Sequence, residues 1–138
     1  MSVRARPHLH VGCAIIESAG RILATQRSAT MSLPLKWEFP GGKMLDGESP
    51  EACIHRELRE ELEVAVSIGA ALAPTTHHYP SFTVTLYPLL CTIESGTLTL
   101  HEHHAAAWLA PEELSTLDWA EADLPILAAY LAMRRATR

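Results

Sequence analysis

Apolar and polar residues follow two different spacings along this chain, and each spacing predicts one type of element. The segments LHVGCAIIES and FTVTLYPLLCTI are rich in β-branched and apolar residues and predict long strands. RILATQR follows the turn signal AGR and is expected to form a hairpin with the first strand. WEFP predicts a short strand that stops at Pro40 and the Gly41–Gly42 pair. Two further strands are predicted, one at the start of VAVSIGAALAPTTHHYP, whose remainder is expected to be loop, and one at AAAWL.

A helical spacing of apolar residues occurs near the middle of the chain and again near its end. Ser49 is a favourable N-cap and Pro50 suits the first helical position, so a helix is expected from about Pro50 to Leu62. PEELSTL predicts a short helix, and LPILAAYLAMRRA predicts an amphipathic one. The residues of this last helix expected to face inward are Ile126, Leu127, Tyr130 and Leu131. Strands and helices alternate irregularly, which favours an α/β (α+β) class with a mixed sheet between helices.

Composition and charge narrow the class of protein. The chain has 138 residues, 48% of them hydrophobic and 20% charged, which is typical of one folded domain over residues 1–138. Its net charge of −5 gives no attraction to a nucleic-acid polymer or an anionic membrane, and no apolar window reaches the length of a membrane span. The chain has three widely spaced cysteines, Cys13, Cys53 and Cys91. An odd number without close pairs predicts reduced thiols and a cytoplasmic protein.

The predicted middle helix carries an unusual concentration of acidic residues. Glu57, Glu60 and Glu61 fall on one helical face, where like charges repel slightly. One interpretation is a solvated acidic face. The other is a site for a divalent cation, since Mg²⁺ prefers oxygen ligands and commonly bridges carboxylates to substrate phosphates.

The stretch GGKMLDGESPEACIHRELREELEV resembles the box motif of the Nudix hydrolases, G-x5-E-x7-R-E-U-x-E-E-x-G-U, where U is a bulky aliphatic residue. The positions in register are Gly42, Glu48, Arg56, Glu57, Leu58, Glu60, Glu61 and Val64. Glu63 departs from the motif, because it replaces a glycine that ends the helix in a left-handed conformation. A glutamate there is expected to cost about 1 kcal/mol or to shift the helix end.

This resemblance implies a Nudix-type α/β/α sandwich and a role for each matching residue. Glu57, Glu60 and Glu61 would be metal ligands, with the Gly42 carbonyl as a further one. Arg56 would pair with a carboxylate and orient it. Mg²⁺ is the implied cofactor, and Mn²⁺ is an alternative.

The flanking sequence is similar to the MutT-type branch of the family. WEFPGGK and LATQR match segments of that branch, which implies that Arg27 contacts substrate phosphate, while Lys43 either holds phosphate or is solvated. In that branch a glutamate six residues before a tryptophan serves as metal ligand or general base, and Glu102 stands six residues before Trp108. The neighbouring His101, His103 and His104 also allow a zinc site, although loop histidines are more often solvated.

Asp123 occupies the place where MutT-type enzymes read the base. An ionised aspartate only accepts hydrogen bonds, so it would suit the amine of cytosine or adenine better than the guanine oxygen. The segment around it also resembles the CTP pyrophosphohydrolase subgroup. Tyr79, Phe82 and Trp119 are candidates for stacking on the base, and core packing is the alternative for each.

The sequence therefore predicts a Mg²⁺-dependent enzyme that hydrolyses a nucleoside triphosphate to the monophosphate and pyrophosphate. The substrates expected are CTP, dCTP or modified cytosine nucleotides. Hydrolysis of 8-oxo-dGTP is one alternative, and a non-catalytic nucleotide-binding domain is another. Glu102 or one of the box glutamates would accept the proton of the attacking water. Whether the protein is a monomer or a homodimer stays open.

Overall fold

Strand β1 lies at the centre of the fold. The computed structural model describes residues 6–136, which form eight strands, two α-helices and two short 3₁₀ helices. The strands are β1 (His8–Ser18), β2 (Arg21–Gln26), β3 (Trp37–Glu38), β4 (Gly41–Lys43), β5 (Ala65–Ala71), β6 (Thr75–His78), β7 (Thr83–Ser95) and β8 (Ala105–Leu109). The helices are α1 (Pro50–Leu62) and α2 (Leu124–Ala136), and the 3₁₀ helices are Pro111–Thr116 and Glu121–Asp123.

The sheet is mixed, as the sequence predicted. Its main path runs β3-β2-β1-β7-β5, with β4 paired to β1, β6 to β7 and β8 to β2. β1 and β7 run parallel, with pairs from His8↔Thr83 to Ile16↔Cys91, and the other strand pairs are antiparallel. The parallel pair is not joined by a simple crossover helix, since five strands and α1 intervene in the chain.

Alternate residues of β1 supply two separate cores. Ala14 and Ile16 pack with Ile54, Leu58 and Leu62 of α1 on one face of the sheet. Cys13 and Ile15 pack on the other face, in a cluster that also contains Ile126, Leu127 and Tyr130 of α2. Since successive side chains of a strand point to opposite faces, the sheet lies between the two helices. The predicted sandwich of helices around a mixed sheet is confirmed.

Helix α1 begins and ends where the local signals predicted. The Ser49 hydroxyl accepts a hydrogen bond from the Ala52 N–H at 3.1 Å, which caps the first turn. At the other end Glu63 adopts φ 58°, and its N–H donates to the Arg59 carbonyl at 3.2 Å. The missing glycine therefore leaves the helix end in place and puts a glutamate in a left-handed conformation.

Two predicted loops are strands in the structure. Thr75–His78 was expected to be loop, but it pairs antiparallel with β7 from Thr75↔Leu86 to His78↔Thr83. Its polar residues show no apolar alternation, and its Thr76 hydroxyl bonds to that of Thr85 at 2.8 Å. Gly41–Lys43 was expected to be a stop after WEFP, yet it pairs with β1, because glycine lets the two backbones approach closely.

Other expectations concern exposure and the membrane. Leu131 is partly buried and packs at the edge of the α2 core, so its inward orientation is incomplete. Cys13, Cys53 and Cys91 are all free and buried. Within residues 6–136 no helix is both long enough and apolar enough to span a membrane.

Candidate active site

Arg56 offsets the charge repulsion on the acidic face of α1. Its Nε and one terminal nitrogen donate to the two carboxylate oxygens of Glu48, each at 2.8 Å. Its other terminal nitrogen donates to Glu57 at 2.8 Å and to Glu60 at 3.4 Å. These hydrogen bonds, to Glu48 first and Glu57 second, raise the pKa of Arg56, and the Arg56 guanidinium lowers the pKa of Glu48 to about 2. The guanidinium thus acts as an internal counter-ion for three of the carboxylates.

Of the three glutamates on the acidic face of α1, Glu61 is the one that Arg56 does not contact. Its Oε2 is buried and has no hydrogen-bond partner among the residues that the structure describes. Burial raises the pKa of Glu61, and the nearby carboxylates of Glu102 and Glu57 raise it further. A buried carboxylate oxygen without a donor is costly unless a cation or another donor reaches it.

The residues present fit a divalent cation. Glu57, Glu60, Glu61 and Glu102 offer only carboxylate oxygens, the donors that Mg²⁺ and Mn²⁺ prefer. As they stand, no three histidine, cysteine or acidic side chains within the described part of the chain converge as a ready-made metal centre. This is consistent with Arg56, which holds Glu48, Glu57 and Glu60 in the structure.

Gly42 lies directly against the Glu57 carboxylate. A Cβ built on Gly42 would overlap the carboxyl group of Glu57, so only glycine lets strand β4 approach α1 this closely. The Gly42 carbonyl accepts a hydrogen bond from the Cys53 thiol at 3.2 Å. The role of this carbonyl as a metal ligand stays a prediction.

The loop before β8 brings Glu102 close to Glu61, and the Glu102 charge raises the pKa of Glu61. The histidines beside Glu102 bind separate partners: His101 contacts Glu63 at 2.7 Å and His103 contacts Glu38 at 2.9 Å. Because these two histidines reach different carboxylates, the described residues provide no zinc site around them.

Arg27 is held by contacts inside the protein. It donates to Glu38 Oε1 at 2.8 Å, and to the carbonyl and hydroxyl of Ser32 at 2.6 and 3.1 Å. Lys43 is exposed, and its carbonyl accepts from Arg56 at 3.0 Å. The role of Glu38, which bonds both Arg27 and His103, was missed from the sequence, although the WEFP segment contains it.

Asp123 is buried, and its chemistry differs from the expectation. One carboxylate oxygen accepts from the Phe39 N–H at 3.0 Å. Burial, with the nearby Glu38 charge as second cause, raises the pKa of Asp123 to about 8. Burial therefore favours the neutral form of this carboxyl group, whereas the sequence-based expectation was an ionised aspartate that only accepts hydrogen bonds. A neutral carboxyl can both donate and accept.

The three aromatic candidates differ in how deeply they are buried. Trp119 is 4% exposed, and its indole N–H donates to the Leu114 carbonyl at 2.7 Å. The Tyr79 hydroxyl accepts from the Ala122 N–H at 3.0 Å, and its side chain is also buried. Core packing therefore replaces the stacking role for Trp119 and Tyr79. Phe82 is partly buried against Tyr79, with ring centroids 4.9 Å apart.

Comparison with known proteins agrees with this geometry. The NUDIX domain family matches residues 6–130. A CTP pyrophosphohydrolase of Escherichia coli K12 is 38% identical over 128 residues, covering 93% of this chain and 95% of that protein. An 8-oxo-dGTP diphosphatase of Proteus vulgaris is 34% identical over 92 residues, covering 66% and 82%. The solution structure of the E. coli ORF135 protein superposes with a TM-score of 0.81 at 37% identity, covering 95% and 94%.

An acidic helix held by an arginine, on a mixed sheet between two helices, defines a hydrolase of the Nudix class. The chain belongs to the Nudix family, and it is a pyrophosphohydrolase of the MutT type. Nudix hydrolases generally use a divalent metal ion.

Proposed function

We propose that this protein is a Mg²⁺-dependent nucleoside triphosphate pyrophosphohydrolase that acts on CTP, dCTP or modified cytosine nucleotides. The products would be the nucleoside monophosphate and pyrophosphate. The observation that carries the proposal is the buried, unpartnered oxygen of Glu61 beside the carboxylates of Glu57 and Glu102. We further propose that the protein acts on free nucleotides in the cytoplasm, as a monomer or homodimer.

The acidic residues would divide the work at the metal end of the site. Glu57, Glu60 and Glu61, with Glu102 and the Gly42 carbonyl, would hold Mg²⁺, and Mn²⁺ would replace it. The ion, when bound, would neutralise triphosphate charge and lower the pKa of water. Glu102 or one of the box glutamates would accept the proton of the attacking water.

The remaining residues would orient the carboxylates and the substrate. Arg56 holds Glu48 and Glu57 and so fixes the direction of the Glu57 carboxylate. Arg27 and Lys43 would bind phosphate, with Arg27 kept in place by Glu38.

The base preference is supported by similarity, and Asp123 is compatible with it. A relative that covers nearly the whole chain is named a CTP pyrophosphohydrolase. One carboxylate oxygen of Asp123 accepts from the Phe39 N–H. When neutral it can donate to the ring acceptors of cytosine and accept from the N4 amine; when ionised it can only accept.

Sanitation of 8-oxo-dGTP is the second candidate. A neutral Asp123 can also donate to the O6 of a guanine, and the Proteus vulgaris relative is named for that substrate. The two candidates therefore differ in the base and share the same metal chemistry.

A substrate panel separates the two candidates. The purified protein is assayed by pyrophosphate release with CTP, dCTP, 5-methyl-dCTP and 8-oxo-dGTP, each with Mg²⁺ and with Mn²⁺. We expect the highest kcat/KM for a cytosine nucleotide. A strong preference for 8-oxo-dGTP overturns the base assignment and leaves the metal chemistry standing.

Glutamine variants test the metal chemistry itself. Glu57→Gln and Glu60→Gln are expected to lower kcat at least about 100-fold, beyond the usual effect of a residue outside the ligand set. Circular dichroism checks that both variants fold. Glu51→Gln, on the exposed first turn of α1, is the matched control. Turnover that survives both variants contradicts the proposed role of these residues.

A further inference from the structure

His103 joins the loop that carries Glu102 to Glu38 on strand β3. Its side chain is only 6% exposed, and its Nε2 lies 2.9 Å from Glu38 Oε2. The other oxygen of Glu38 accepts from Arg27 at 2.8 Å. A single carboxylate therefore connects the loop before β8 with the arginine proposed to bind phosphate.

The second nitrogen of His103 points to a role beyond packing. An ionised Glu38 only accepts, so Nε2 of His103 donates the hydrogen of this contact, and Nδ1 is the second polar atom of the ring. This Nδ1 is buried and has no hydrogen-bond partner among residues 6–136. Buried polar atoms are nearly always paired, and the exceptions commonly face a ligand. His103 also interacts electrostatically with Glu61, whose Oε2 is likewise buried and without a hydrogen-bond partner among the described residues.

We propose that His103 is a positioning residue of the active site. Its hydrogen bond to Glu38 fixes the preceding residue, Glu102, beside Glu61 on α1, so that the loop and the helix present their carboxylates to the same cation. This inference rests on the proposed function of Glu102 as a ligand. It assigns no direct contact with the reacting atoms to His103, which acts through the loop.

Two substitutions of His103 separate this role from simple packing. His103→Ala removes the bond to Glu38, whereas His103→Gln places an amide N–H near the position of Nε2 and can still donate to Glu38. Affinity for Mn²⁺ is measured in the protein without nucleotide, by electron paramagnetic resonance, and kcat and KM are measured with the best nucleotide of the panel. Thermal unfolding by circular dichroism checks both variants.

The expected result is a loss that glutamine reverses. His103→Ala should weaken Mn²⁺ binding and lower kcat by about 10- to 100-fold each, the usual effect of a residue that orients a ligand, with KM little changed. His103→Gln should stay within about 3-fold of the wild type, since it keeps the donor at one nitrogen. His104→Ala is the matched control, because that neighbouring histidine is exposed.

Two outcomes overturn the proposal. One is an alanine variant that keeps its Mn²⁺ affinity and kcat. The other is a folded glutamine variant as damaged as the alanine variant, since the bond to Glu38 is then not the cause.

Glu102→Gln distinguishes failure of this inference from failure of the proposed function. If that variant binds Mn²⁺ and turns over like the wild type, Glu102 is not a ligand and His103 does not act through it. The pyrophosphohydrolase activity of the wild type would still stand. If the wild type hydrolyses no nucleotide, the proposed function fails, while the Mn²⁺ titrations still decide the role of His103.

Discussion

Arg56 of α1 donates hydrogen bonds to both carboxylate oxygens of Glu48, each at 2.8 Å, and Glu48 lies in the loop that precedes the helix. This two-pronged geometry is specific to the planar guanidinium, which matches a carboxylate at two points. Glu48 also accepts from the Leu45 N–H at 3.0 Å, and Arg56 donates to the Lys43 carbonyl of β4. The Arg56 guanidinium therefore connects the loop, β4 and α1.

The first prediction concerns the acid stability of this contact. The pKa of Glu48 in the folded protein is lowered to about 2 from an ordinary value of 4.5. Its ionised form is therefore favoured by folding; the stabilisation is complete above pH 4.5 and is lost as the pH falls towards 2. We expect wild type to be more stable than Glu48→Gln above pH 4.5, with the difference in unfolding free energy shrinking below it. Urea unfolding between pH 2 and 7 measures this, and a difference independent of pH contradicts it.

The second prediction concerns Gly42, which lies against helix α1. Gly42→Ala puts a methyl group where the Glu57 carboxyl lies, so the carboxylate must move. We expect kcat to fall by about 10-fold or more with little change in KM, because a small displacement of a reacting group is costly. Gly69→Ala is the control, since its Cβ meets only the Leu90 carbonyl at 3.7 Å. Equal activity of both variants would show that Glu57 does not need its present position.

The third prediction follows from the buried Asp123. Its pKa of about 8 in the folded protein lies above the ordinary value of 3.8, so folding favours the neutral form. The stability from this group is complete below pH 3.8 and is lost as the pH rises through 8. Relative to Asp123→Asn, the wild type should lose stability steadily between about pH 4 and 8 and level off above it. If denaturant unfolding gives the wild type and Asp123→Asn the same pH dependence across this range, the raised pKa of Asp123 is contradicted.

The fourth prediction concerns the helix end. Glu63 adopts a left-handed conformation that costs a non-glycine residue about 1 kcal/mol. Glu63→Gly is expected to raise the unfolding free energy by up to about this amount, less the small contribution of the exposed contact with His101. His101→Ala measures that contribution separately. If Glu63→Gly is less stable than both the wild type and His101→Ala, the strain argument is contradicted.

Local signals predicted the parts of the fold that depend on neighbouring residues. The N-cap Ser49, the following proline and the stripe of Ile54, Leu58 and Leu62 located α1 from Pro50 to Leu62. Likewise, the fixed spacing of the box identified Arg56 as the residue that orients carboxylates, and the structure shows its bonds to Glu48 and Glu57.

Features that depend on distant residues were missed or misjudged. Strand β6 is polar and owes its form to pairing with β7, so no apolar alternation marks it. The bond of His103 to Glu38 spans 65 positions in the chain. The raised pKa of Asp123 comes from burial first and from the Glu38 charge second, which residue type alone does not reveal.

The parallel pairing of β1 with β7 bears on the order in which the chain folds. His8 pairs with Thr83 and Ile16 with Cys91, so the central strand stays without its long neighbour until more than half of the chain has been synthesised. Contacts this distant along the chain slow folding, because the intervening segment must first be brought together. Helix α1 leaves the ribosome before the sheet that supports it is complete, although β1, against which its apolar residues pack, has already been synthesised.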